Sequence, residues 1–205
     1  MSDLFDSIRR IVREELRQQR HAELAVVQEQ HPHADEGDSD NYSCTVVMRG
    51  NGIVLRRVPL MVLRKGAASV PDVGDLVLVQ FLNGDINAPV IVGSLYNDED
   101  RPPANTSGQA VFNLPLGGGG VELVVNSEDT SAVELKVGDG LNLKLVDDDP
   151  VLTVDVGGGS AVLEIARNGS LTLNSNNGVE IKAAADMTIE AGGQLNLKGA
   201  MVNIN

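Results

Sequence analysis

Residues 170–205 read SLTLNSNN, GVEIKAAA, DMTIEAGG, QLNLKGA and MVNIN, a repeat of about eight residues. Each unit opens with aliphatic residues at alternate positions: Leu171 and Leu173, Val179 and Ile181, Met187 and Ile189, Leu195 and Leu197, Val202 and Ile204. One polar residue separates each pair (Thr172, Glu180, Thr188, Asn196, Asn203), and a polar or Gly/Ala/Asn corner follows. Alternation at period two predicts strands with one buried face, and a fixed repeat predicts stacked units of one kind. A strand of about four residues cannot bury its own apolar edge. The repeat therefore predicts a wound, multi-chain β-structure with a mechanical rather than a catalytic role.

The same alternation continues upstream with looser spacing. Leu123/Val125, Val133/Leu135/Val137, Leu141/Leu143/Leu145, Leu152/Val154/Val156 and Leu163/Ile165 are separated by corners at Gly117–Gly120, Gly138/Gly140, Asp147–Asp149 and Gly157–Gly159. No aromatic residue follows Phe112. A compact domain of that length uses aromatic rings to fill wide spaces. Their absence predicts a narrow core that aliphatic side chains fill.

Residues 98–107, DEDRPPANTS, read as a polar, proline-bearing connector. Ahead of it lie five short apolar runs: residues 21–31, Tyr42–Met48, Ile53–Leu63, Leu76–Phe81 and Val90–Tyr96. Tight turns at Gly50-Asn51-Gly52 and Asn83-Gly84-Asp85 join two of the pairs. Five strands so spaced predict a small closed barrel of the oligonucleotide/oligosaccharide-binding (OB) type. Residues 3–20 read as a short amphipathic helix, with Leu4, Ile8, Ile11, Val12 and Leu16 on one stripe and Ser2 or Asp3 as its cap.

The chain has 205 residues and a net charge of −13, divided as +1 over residues 1–20, −6 over 21–103 and −8 over 104–205. Such a balance does not attract a phosphate backbone, and the acidic barrel, whose aromatics are Tyr42, Phe81 and Tyr96, is no stacking platform for nucleic acid. Phe81 and Tyr96 fall on apolar strand positions and are expected to pack. Cys44 is the one cysteine, so no intrachain disulfide forms. The N-terminus does not read as a signal peptide, and no apolar run reaches membrane-spanning length, so the chain is expected to be made in the cytoplasm.

Catalytic sets are sparse. His31-Pro32-His33 has a spacing that can bind a metal, but its neighbouring acids lie in a loop and no cysteine follows; it reads as a solvated loop. Ser160 and Ser170 have no histidine in their domain to activate them. Gly117–Gly120 precedes a strand, not a helix, and reads as a corner rather than an anion cradle. The expectation is a non-enzymatic protein without cofactor or metal.

Residues 71–103, PDVGDLVLVQFLNGDINAPVIVGSLYNDEDRPP, resemble the baseplate assembly protein V family. These are central spikes of contractile phage tails, related to the VgrG spikes of type VI secretion. The resemblance is carried by Pro71, Gly74, Asp75, Gly84, Asp85, Pro89, Gly93 and Tyr96, with the octads similar to those that follow this barrel in the family. It implies an all-β homotrimer: a short helix (1–20), an OB-fold domain (21–97), a connector (98–120) and a needle (121–205) in which three chains intertwine as a triangular β-prism.

In such a prism Leu171, Leu173, Val179, Ile181, Met187, Ile189, Leu195 and Leu197 would form the trimer core. If three chains share each face, successive octads advance by one strand spacing of about 4.8 Å, giving a needle on the order of 50 Å. The chain has no room for an inserted lysozyme domain and lacks the C-terminal H-x-H element that holds iron at the tip of some small spikes. The resemblance then implies a separate PAAR-type tip protein seated on Met201, Val202, Asn203, Ile204 and Asn205, with baseplate hub and tube proteins at the OB end. The implied role is to pierce the target envelope on sheath contraction, as part of a phage tail or injection particle. A surface- or polysaccharide-binding β-helical module is the alternative; it would want exposed aromatics on the needle. An acid-based β-helix enzyme would want clustered carboxylates.

Overall fold

The computed structural model describes residues 2–203. The side chains of Ser2, Asp3 and Leu16, expected to cap and continue the helix, and the terminal Ile204 and Asn205 lie outside the described residues. The chain divides into two compact units, Met1–Pro102 and Pro103–Asn205.

The first unit opens with helix α1 (Ser2–Gln18), whose Leu4, Phe5, Ile8, Ile11 and Val12 remain exposed. Five antiparallel strands follow: β1 (Glu23–His31), β2 (Ser43–Met48), β3 (Val54–Pro59), β4 (Leu76–Phe81) and β5 (Pro89–Leu95). Their order in the sheet is β3-β2-β1-β4-β5. Alternate residues of each strand meet inside, where Ala25, Val27, Cys44, Val46, Val58, Val77, Val79, Phe81 and Ile91 form the core. Small and β-branched side chains fill it because five short strands leave little width. The first hairpin turns at Gly52, whose N–H donates to the Met48 carbonyl at 2.9 Å.

Three expectations for this unit need correction. The barrel is not closed: β3 and β5, the edges of the sheet, meet through one parallel bridge, Leu60 to Ile91, where Met61 N–H donates to the Ile91 carbonyl at 2.8 Å. The strand expected to reach Leu63 ends at Pro59, and beyond it Leu60 continues as that isolated bridge. Tyr96 does not pack; it stands just beyond β5 with 57% of its surface exposed, while Phe81 is buried as expected.

The second unit is a seven-stranded antiparallel meander: β6 (Gln109–Leu114), β7 (Val121–Asn126), β8 (Ala132–Val137), β9 (Leu141–Val146), β10 (Leu152–Val156), β11 (Ala161–Ile165) and β12 (Leu171–Ser175). Strand β6 lies inside the stretch expected to be a connector. Every strand pairs with the next in the same chain, through connections of three to six residues. Over residues 109–175 each sheet is therefore built by one chain rather than shared by three. The physical reason is spacing: connections of this length suit hairpins, which reverse the strand.

Beyond Asn176 the octads carry no strand among the described residues. Their apolar positions Val179, Ile181, Met187, Ile189, Leu195 and Leu197 are all exposed.

Candidate functional site

The register of the meander sorts its residues into columns that run across all seven strands. Phe112, Leu123, Leu135, Leu143, Val154, Leu163 and Leu173 are directly opposite one another in turn. A second column runs from Ala110 to Leu171 and a third from Leu114 to Ser175 on the same face, because side chains two apart share a face. Every member of the three columns is apolar except Ser175.

Among the described residues of the unit no second layer of secondary structure covers that face. Phe112, Leu114, Val125, Val133, Val137, Leu141, Leu145, Val156, Leu171 and Leu173 stay exposed. Three columns by seven strands span on the order of 15 Å by 30 Å, several hundred Å² of contiguous apolar surface. That is at or above what a soluble monomer presents without a partner.

The opposite face is mostly polar, with Val111, Val124, Ala132, Val146 and Val162 interspersed. Lys136 lies across from Glu122, with Nζ to Oε1 at 3.0 Å, and reaches Glu134 at 3.6 Å. The hydrogen bond to Glu122 and the charge of Glu134 push its ammonium pKa up. Asn113 and Asn142 share that column, and their Oδ1 atoms have no hydrogen-bond partner in the single chain. At the corner before β12, Arg167 donates to Asp147 at 2.7 Å. Exposed pairs of this kind contribute little to stability each, but they keep this face in water.

The expected tip-docking residues Met201, Val202 and Asn203 are exposed and carry no strand.

The barrel motif forms two turns with distinct tasks. Gly74, at φ +102°, sits where side-chain-bearing residues are strained, and its N–H donates to the Val27 carbonyl at 2.9 Å. Val27 N–H returns the bond to the Asp75 carbonyl at 3.0 Å, the Asp75 carboxylate accepts Asp72 N–H at 2.9 Å within the turn, and Gln30 donates to the Pro71 carbonyl at 2.7 Å. The motif thus ties the entry of β4 to β1. Burial, with the charges of Asp72 and Asp100, pushes the Asp75 carboxyl pKa up, against the Asp72 N–H that lowers it.

At the second turn Gly84, at φ +75°, lies against Gln19: a Cβ there would meet the Gln19 Cα at 3.1 Å. Arg20 N–H donates to the Gly84 carbonyl at 3.0 Å, and Asp85 accepts Asn87 N–H at 2.9 Å. This turn holds the chain as it leaves α1. Pro89 starts β5 opposite Phe81, and Gly93 lies opposite Leu78 beside a bulge, with open space where its Cβ would be.

The open seam between β3 and β5 is a groove of about 570 Å³ lined by Val54, Leu82, Ile86, Arg56 and Arg57. No aromatic side chain lines it, and Arg57 is ion-paired with Asp40. The histidines do not form a pair. His31 is an inward residue at the end of β1, the strand expected over residues 21–31, and is buried 2.9 Å from the Thr45 hydroxyl. His33 bonds Asp38 at 2.9 Å. The Asp38 carboxyl is lowered to about 2, chiefly by the Ala34 N–H, with Asp40 N–H and His33 adding to it. Among the described residues no group of three or more His, Cys, Asp or Glu is placed to hold a metal. None of their helices is long and apolar enough to cross a membrane.

The apolar columns escaped the sequence reading as a surface because the alternation gives each strand a face but not its register. The hairpin connections could have supplied it. A comparison with curated proteins finds none that matches the chain. Residues 63–96 match the family model of the type VI secretion system/phage-baseplate injector OB domain.

Proposed function

We propose that this chain is the central spike of a contractile tail or injection system, acting as a homotrimer that pierces the target envelope when the sheath contracts. The observation that carries the reading is the uncovered apolar face of β6–β12, in a chain whose residues 63–96 resemble the injector OB domain. Three such faces turned toward a common axis form a dry triangular prism with the charged columns outside. The covering partner is then two more copies of the chain.

The spike works by transmitting force along its axis, and the proposal assigns it no bond-making chemistry. Hub and tube proteins bind at the OB end, and a PAAR-type tip protein seats on the terminal residues that include Met201, Val202 and Asn203. The direct test is the mass of the native protein by light scattering: a trimer, three times the 21.7 kDa chain, is expected. A monodisperse monomer would sink the proposal.

A further inference from the structure

The second unit contains two kinds of β-sequence with opposite requirements. Residues 109–175 complete their ladder within the chain, strand by strand. Residues 178–203 have the same alternation of apolar and polar positions but no ladder among the described residues. Strand β12 is the boundary: one edge pairs with β11, and the other is open.

An open edge beside unpaired strand sequence is a template. The tail could in principle fold back on it, since Asn176-Asn177-Gly178 is a reasonable hairpin turn. That hairpin would set Asn174 opposite Glu180. The structure does not form it. Repeat register gives a different pairing, in which Thr172 stacks on Glu180 and the apolar pair Leu171/Leu173 on Val179/Ile181. Glycine at 178 and the short octad leave no strand long enough to stand alone, so the second pairing needs β12 of another copy.

We propose that assembly is staged. The preformed β6–β12 sheets of separate copies dock first through their apolar faces, and the tail then orders by pairing its first octad with the open edge of β12 on a neighbouring copy. This rests on the trimeric reading above. It adds the order of events and the place where pairing passes from within a chain to between chains. The tail is then a clasp that closes on an assembled trimer rather than the element that gathers it.

Two full-length double-cysteine variants test the junction, Thr172→Cys/Glu180→Cys and Asn174→Cys/Glu180→Cys. Cys44 is buried, and burial together with the Asp75 charge raises its thiol pKa, so it does not compete. Mild oxidation of the first variant should give covalent dimer and trimer bands on a non-reducing gel, with the single-cysteine controls unlinked. Efficient bridging of the second variant as a monomer would mean that the tail folds back on its own chain, and would overturn the proposal.

Staging is tested by Ile189→Asp in the full chain. Its native mass should stay that of wild type, while amides of residues 178–203 lose their protection from hydrogen exchange. A monomeric Ile189→Asp chain would mean that the tail drives association, and would refute the order. A wild type that is itself monomeric removes the trimeric reading, an outcome the same mass measurement separates from the other two.

Discussion

Truncating Leu173 to alanine should loosen the assembly by an amount that the single chain fixes. Leu173 closes the central column and is 50% exposed before any partner arrives. Fully burying a leucine contributes roughly 1.5–3 kcal/mol, so the half left to bury is worth about 1 kcal/mol per chain. Alanine forfeits most of that. A symmetric trimer repeats the loss three times, about 3 kcal/mol, which raises the trimer dissociation constant about a hundredfold. Sedimentation equilibrium across a dilution series, with enough urea to bring dissociation into range, reads the change directly. Thr172→Val is the control: it keeps size and strand preference but lies one residue away on the opposite face. It should leave the constant unchanged. If Leu173→Ala matches wild type, or Thr172→Val costs as much, the apolar face is not the contact and the reasoning fails.

Other substitutions probe the barrel and the tail. Ile91 is 1% exposed and sits where the seam is bridged, so Ile91→Ala should destabilise the first unit by about 2–5 kcal/mol in urea unfolding. A loss under about 1 kcal/mol would show that the seam end is not packed. Gly84→Ala should cost about 1–3 kcal/mol, since it places a side chain in left-handed backbone against the Gln19 main chain, with an unchanged urea slope. Asp75 has a raised carboxyl pKa, so the stability it contributes is full below the unfolded value and is lost as pH rises through the folded one. Asp75→Asn should therefore gain on wild type between pH 3 and pH 7, by under about 1 kcal/mol after solvent screening; a gain that shrinks with pH would contradict this. In the proposed trimer, Val179→Asp should abolish SDS resistance, read on an unheated gel, because separating wound chains would be the slow step of its unfolding.

Much of the fold could be read from alternation and turns. Leu76–Phe81 and the runs around Leu135, Leu143 and Val154 are strands because every second residue is aliphatic, and glycine or aspartate interrupts them. Strand β6 was hidden: Ala110, Phe112 and Leu114 alternate for only six residues behind a polar, proline-bearing stretch, and pairing with β7 is what makes them a strand. Tyr96 looked inward by its place after Ser94, but β5 ends at Leu95 and releases it. His31 closes the strand expected over residues 21–31, and β1 reaches it past an irregularity between Val27 and Glu29. The octads are the opposite case. Their pattern is the clearest strand signal in the chain, and a single copy has no neighbour to satisfy it.

The unbroken columns of β6–β12 make length a separable property of this protein. Inserting a hairpin adds two strands, about 10 Å of height, and restores both the direction of the chain and the face on which its aliphatic residues lie. Inserting one strand reverses the chain and sends the tail out of the wrong edge. Reach can therefore be retuned in steps of a whole hairpin, by duplicating some twenty residues, while the barrel and the tail keep their sequences. A population of such proteins would be expected to differ in the height of this sheet by even numbers of strands.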